Sequence, residues 1–178
     1  MPTRVQSKLM PTIERHRTVD APIDVVWDVV TDHDLYGEIA PNLANVEVID
    51  GADVGLVRQC VDTDGNAWTE RCTRWEPERG FAVTVDVAES GFHRSLFSRF
   101  EGEWRLDDLP DGVRITIGFD FDPRYGPAGR LITTFLRYKA PPIIETIFDR
   151  WEAVIRARVE PAPDESNGRL EGPNALFR

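Results

Sequence analysis

The chain has little that could cross-link it or hold a metal. Its 178 residues include only two cysteines, Cys60 and Cys72, too few for a disulfide framework or a four-ligand zinc site. Three histidines, His16, His33 and His93, are scattered along the sequence. That scatter argues against a Cys–His nucleophilic pair and against a metal centre. No apolar run approaches the ~20 residues of a membrane-spanning helix, and the first residues lack the apolar core of a signal peptide. The expectation is a cytoplasmic protein with reduced thiols. Lysine is nearly missing, with Lys8 and Lys139 alone among 21 basic residues. A basic excess is missing too, because 31 acidic residues leave a formal charge of -10. Neither nucleic acid nor an anionic membrane surface is an expected partner for such a balance.

What is present reads as one folded domain. Hydrophobic residues make up 41% and charged residues 29%, a globular profile. A chain of this size can bury roughly 70% of its unfolded surface. The domain is expected over residues 12–160, between a loose arm at 1–11 and a tail at 161–178 rich in Pro, Gly, Asn and acids, expected to be disordered.

Within that domain the signals fall in a simple order. A strand over 12–19 stops at Asp20-Ala21-Pro22, where Asp20 can accept from free amides and Pro22 suits the first helical turn. Val25, Val26, Trp27, Val29 and Val30 give an apolar helix over 22–31, and residues 32–38 a second short one ended by Pro41. Six strands follow, at 46–49, 56–61, 67–75, 81–88, 96–106 and 113–121, separated by turn residues such as Asp50-Gly51, Asp64-Gly65 and Ser90-Gly91. This spacing predicts an antiparallel meander. On the last strand Val113, Ile115, Ile117, Phe119 and Phe121 face one way, and Arg114, Thr116, Asp120 and Asp122 the wet side. Leu131, Ile132, Phe135 and Leu136 mark a helix over 126–139, either a lid or an interface. Pro141-Pro142 is expected to break or bend the path. Ile144, Ile147, Phe148, Trp151, Val154 and Ile155 then predict a helix over 142–159. Together these give an α+β helix-grip architecture: a seven-stranded curved antiparallel sheet around a long C-terminal helix, with two short helices after the first strand. Such a fold tends to enclose a pocket for an apolar ligand.

The candidate site residues cluster on the strand between Gly65 and Gly80. Trp68, Glu70, Cys72 and Arg74 recur at period two, which puts all four on one face, toward a hollow under the terminal helix. Glu70 and Arg74 then lie about 13 Å apart and would touch different parts of one long ligand. Arg74 can hydrogen-bond a carbonyl and stabilise an enolate; a salt bridge to Glu76 or Glu78 is its other reading. A 62–66 loop would set Arg58 opposite Glu70 and Cys60 opposite Trp68. The Arg58–Glu70 pair is then either an exposed strand pair or a cavity pair in which Glu70 serves as general base. Tyr36, Arg58, Trp68, Cys72, Phe100, Ile115 and Trp151 are expected as ligand contacts.

Val19-Asp20-Ala21-Pro22, Val25-Val26-Trp27-Asp28-Val29, Gly65–Trp68, Arg74, Glu89–Gly91 and Phe119–Pro123 resemble the START-like polyketide cyclase superfamily, also called SRPBCC, over about residues 12–160. Within it the chain is most similar to bacterial aromatic polyketide aromatase/cyclases. The resemblance implies that Arg74 matches a catalytic arginine, Trp68 a pocket tryptophan, Tyr36 a pocket aromatic and Cys72 a pocket serine. Glu70, Val87 and Ile115 depart from the pattern, standing for an aromatic, a second arginine and a tryptophan. The implied activity is cyclisation or dehydration of a polyketide-like or aromatic molecule without a cofactor. A carrier of a lipid, quinone or isoprenoid is the alternative, and a protein-interaction module a third. A homodimer stays open.

Overall fold

The computed structural model describes residues 13–160. Seven strands and four helices alternate as β1 (Ile13–Val19), α1 (Ile23–Val30), α2 (His33–Ile39), β2 (Leu43–Asp50), β3 (Val57–Asp62), β4 (Ala67–Glu76), β5 (Gly80–Val85), α3 (Gly91–Leu96), β6 (Phe97–Leu109), β7 (Gly112–Pro123) and α4 (Gly126–Val159). The strands form one antiparallel sheet in the order β1-β7-β6-β5-β4-β3-β2. β1 pairs with the last strand and not the second, because α1 and α2 carry the chain across the sheet before β2 begins. This is the α+β helix-grip arrangement, with α4 lying along the concave face. The expected arm at 1–11 and the expected tail at 161–178 lie outside the described residues.

Packing follows the sequence periods. Ile144, Ile147, Phe148, Trp151 and Ile155 of α4 are buried with Val26, Val29 and Val30 of α1 and with Val113, Ile115, Ile117 and Phe121 of β7. Polar ties fix the helix in place. Arg17 on β1 pairs with Glu145 at 2.8 Å, with Asp149, and with Glu152 at 3.4 Å. Arg150 Nη1 donates to the Ile39 carbonyl at 2.7 Å. Asp32 caps α2, its carboxylate accepting from Leu35 N at 3.0 Å.

Four expectations change. Pro141 and Pro142 do not divide the last helix, which runs unbroken for 34 residues. Two prolines remove the donors that would reach the carbonyls of Arg137 and Tyr138, but both residues are exposed, so water can take over those acceptors. A short helix, α3, replaces part of the loop after β5, started by Ser90, whose hydroxyl accepts from His93 N at 3.2 Å. Asp20 does not cap α1; Pro22 occupies the N-cap and no side chain bonds there. Thr116, expected on the wet side, is 4% exposed, lying between its register partners His16 and Arg105.

The β6–β7 hairpin closes through Gly112 at φ +125°, where an added Cβ would sit 2.3 Å from the Val19 carbonyl oxygen. The neighbour is backbone and cannot swing aside. Gly112→Ala should therefore lower stability by about 1–3 kcal/mol, read as a lower urea midpoint at unchanged slope.

Candidate functional site

The register of β3 and β4 creates the site. Arg58 stands opposite Glu70 and Cys60 opposite Trp68, as the 62–66 loop predicts. What the sequence left open, the fold decides: Arg58 is 2% exposed and Glu70 9%, so this is an interior pair. Arg58 Nε donates to Glu70 Oε2 at 2.8 Å, and Nη2 reaches the same oxygen at 2.7 Å. Trp68 Nε1 donates to Glu70 Oε1 at 2.8 Å. The guanidinium also lies 5.3 Å from the ring centre of Tyr36 and 5.4 Å from that of Trp104, within cation–π range. Burial works against its charge, but the adjacent Glu70 carboxylate more than offsets this and holds Arg58 above its ordinary pKa.

Two histidines join the cluster although the sequence shows them far apart. Arg58 Nη1 lies 3.1 Å from His33 Nδ1. Since an arginine can only donate, His33 Nδ1 accepts, and in the neutral ring Nε2 carries the proton. Burial, reinforced by the Arg58 charge, lowers His33 from 6.5 to about 4, so the ring is neutral at pH 7. His93 packs edge-on against Trp68 at 5.0 Å and has its Nδ1 2.9 Å from Ser90 Oγ; burial lowers its pKa as well. These residues were missed because the scatter of histidines was judged along the chain. The available signals were Asp32-His33 at a helix start and Ser90-x-x-His93, whose spacing is that of a cap and its partner.

The remaining expected contacts divide. Tyr36 meets Trp104 edge-on at 5.9 Å and Trp151 at 6.1 Å, so Tyr36, Trp151, Trp68, Glu70 and Arg58 belong to one interior. Burial pushes the Tyr36 hydroxyl and the Cys60 thiol well above their ordinary ranges. Cys72 faces the same side but donates through Sγ to the Arg74 carbonyl at 3.1 Å. Phe100 stacks on Phe121 at 5.6 Å, and its ring centre is 5.3 Å from that of His93. Ile115 is fully buried under α4. Trp104, unremarked in the sequence, is central: it stacks on Phe81 at 4.7 Å, and its ring lies across Gly102, where a Cβ would come within 2.9 Å of it.

Arg74 is the correction that matters most. It does not share a face with Glu70, because a bulge lies between Cys72 and Arg74 in the pairing with β5. One extra residue inverts the alternation beyond it. Trp75 turns inward, packing against Trp27 at 5.1 Å and Phe81 at 5.6 Å. Arg74 turns outward, where it bonds Glu103 at 2.6 Å with 37% of its side chain exposed. Its partner is neither Glu76 nor Glu78. Burying an indole among rings is worth more than burying a second guanidinium that would lack a carboxylate.

The space between sheet and α4, expected as a hollow, is filled at its centre by Trp151, Phe81 and Trp104, each at most 2% exposed. Within it Trp104 Nε1, Trp151 Nε1 and His33 Nε2 are buried without a hydrogen-bond partner. An open cleft of about 730 Å³ lies elsewhere, at the sheet end between the Pro77–Arg79 turn and the β6–β7 hairpin. Among the described residues no group of three His, Cys, Asp or Glu side chains is placed to hold a metal ion, and no helix is long and apolar enough to cross a membrane.

The chain is thus a twisted sheet gripping one long helix, with a polar cluster on the concave face. The chain matches the family model described as polyketide cyclase / dehydrase and lipid transport over residues 10–156, and it belongs to that family. A candidate polyketide cyclase of Streptomyces cyaneus is 27% identical over 148 residues, covering 79% of this chain and 93% of that protein. Among solved structures, the Zhui aromatase/cyclase of a Streptomyces species superimposes with a TM-score of 0.54 at 24% identity, covering 82% of this chain and 88% of its own. The di-domain aromatase/cyclase StfQ of the steffimycin pathway gives 0.66 at 14%, covering 82% of this chain and half of its own. A protein of Thermus thermophilus gives 0.66 at 16%, covering 83% of this chain and 99% of its own. At these identities the structural likenesses establish the fold.

Two outcomes follow from the cluster. Arg58→Met or Glu70→Leu alone should cost ~3–5 kcal/mol, since each leaves a buried partner uncompensated. The double variant should cost far less than their sum, and a urea double-mutant cycle that proved additive would show the pair uncoupled. For His33, the unfolded chain binds a proton at pH 4–6.5 that the folded chain refuses, so stability rises with pH across the window from about 4 to 6.5. His33→Asn, which keeps an acceptor toward Arg58 but cannot titrate, should remove about 3 kcal/mol of that rise summed over the window in melts recorded from acid to neutral pH.

Proposed function

We propose that this chain is a polyketide cyclase/dehydratase whose interior between sheet and α4 takes a hydrophobic, carbonyl-bearing molecule of the aromatic or poly-β-ketone type. The observation that carries the proposal is the set of unpartnered N–H donors, Trp104 Nε1, Trp151 Nε1 and His33 Nε2, buried in one aromatic interior with the Glu70 carboxylate. Buried donors without acceptors are costly in a folded protein, and ligand carbonyls are the acceptors that such neutral donors suit. Rings of Tyr36, Phe81, Trp104 and Trp151 supply faces on which an extended ketide can fold. Admission of a guest requires those rings to part.

The chemistry asked of the chain is modest. Aldol-type closure needs a proton removed beside one carbonyl, while a second carbonyl accepts hydrogen bonds as its oxygen gains charge. Glu70 is the acceptor for that proton. Its Oε2 is taken twice by Arg58, whereas Oε1 accepts only from Trp68, so the lone pair left for substrate is on Oε1. Arg58 and Trp68 act by positioning that carboxylate. The neutral N–H of His33 and the indoles serve the oxygen side. Arg74, bound to Glu103 on the outer face, has no part in this arrangement. Dehydration then aromatises the closed ring and releases water.

A carrier role is favoured by one feature, the near-complete satisfaction of Glu70 by Arg58 and Trp68, which suits a fixed anchor as well as a base. Glu70→Gln separates the two, using a short synthetic poly-β-ketone whose aromatic product is followed by absorbance and whose binding is followed by tryptophan quenching. In variant protein shown by thermal melting to be folded, catalysis predicts turnover lowered ~100-fold or more with affinity changed only a few-fold. Affinity and turnover falling together, or tight binding with no product from the wild type, would assign the site to carriage.

A further inference from the structure

Exposed apolar side chains concentrate on one stretch of the surface. Leu131, Phe135 and Tyr138 on α4 are 74%, 58% and 78% exposed, and their i, i+4, i+7 spacing makes them one stripe. Ile132 and Leu136, one position further on, pack against the core. The helix is therefore apolar on two sides here, one used by the fold and one bare. Tyr125 and Phe92 add two more exposed rings. Their segments are joined by backbone, Arg124 N donating to the Leu96 carbonyl at 2.8 Å.

Charge is segregated at the same place. From Arg124 to Pro142 the sequence holds Arg124, Arg130, Arg137 and Lys139 and no acid, in a chain with a formal charge of -10. Arg130, Arg137 and Lys139 are exposed, and the Lys139 ammonium lies 5.9 Å from the Phe135 ring centre, placing a cation directly on the stripe. Acids enter α4 only with Glu145, Asp149 and Glu152, which are engaged by Arg17. The outer face of this helix is thus cationic and apolar in its first half.

We propose that residues 129–140 of α4, with Tyr125 at the start of the helix, dock the protein on an anionic phospholipid surface. Leu131, Phe135 and Tyr138 enter the boundary between headgroups and acyl chains, while Arg130 and Lys139 meet the lipid phosphates. A basic face with large apolar and aromatic side chains is what an interfacial helix requires. A second copy of the chain suits the face less well, since a two-fold contact sets a patch against itself and would bring the cations of one copy against the cations of the other. The overall negative charge does not forbid docking: beyond a Debye length of roughly 8–10 Å it is screened, and at contact the local cations decide. The inference is independent of the reaction proposed above.

Vesicle sedimentation tests it with full-length protein. Wild type should bind phosphatidylcholine vesicles containing about 30 mol% phosphatidylglycerol, and release as salt rises from ~50 to ~500 mM. Arg130→Gln/Lys139→Gln should lower the partition coefficient roughly 25-fold, at about 5-fold per charge. Leu131→Gln/Phe135→Gln should lower it comparably. These side chains are exposed, so both variants should melt with the wild type. Absence of binding to the anionic vesicles, or binding that neither double variant weakens, would overturn the proposal. So would light scattering that shows a wild-type dimer dissociated by either variant, or an acidic protein partner that is retained by the face while vesicles are not.

Discussion

A guanidinium that is 2% exposed has to have its charge answered within the fold, and in this protein one carboxylate does so. Arg58 and Glu70 face each other on β3 and β4 because the loop at 62–66 sets the register, and the other polar groups of the interior are arranged around them. Trp68 takes the second carboxylate oxygen, His33 takes another guanidinium N–H, and Tyr36 and Trp104 cover the faces of the cation. Isolated, each of these groups would be expensive to bury. Joined, they make a polar seam through an otherwise aromatic interior.

The bulge in β4 is the second constraint. Without it, alternation would carry Arg74 inward beside Cys72 and put two guanidiniums into one interior with a single carboxylate. The inserted residue turns Trp75 in and Arg74 out to Glu103, and so separates the charge chemistry of the two faces. On the concave side the Arg58–Glu70 pair lies among indoles and phenyl rings. Glu103 and Arg105 lie on the outer side with Glu14, in a solvent-facing chain of pairs.

The interior differs from the simple hollow that a sheet curved around a helix suggests. Its centre is packed by Phe81, Trp104 and Trp151, and the buried N–H groups of Trp104, Trp151 and His33 have no hydrogen-bond partner among the described residues. Net charge is likewise an average. A value of -10 describes the average surface, while the first half of α4 carries only cations beside bare Leu131, Phe135 and Tyr138.

Much of the architecture was legible in the chain because it depends on short-range chemistry. Period-two alternation through Val113–Phe121, turn residues such as Asp64-Gly65, and helical spacing from Ile144 to Ile155 each act within a few residues, and they suffice for a meander closed by a long helix. The opposition of Arg58 to Glu70 was readable for the same reason, since one tight loop sets it. Tertiary structure alone decided the burial of that pair, the arrival of His33 and His93 beside it, the continuity of α4 through Pro141-Pro142 and the outward turn of Arg74. Each of these turns on competition between groups distant in sequence: which indole reaches Phe81 first, which carboxylate answers a buried cation, which carbonyls water can reach. Local periodicity holds no record of that competition, because its outcome is an energy difference between whole packings.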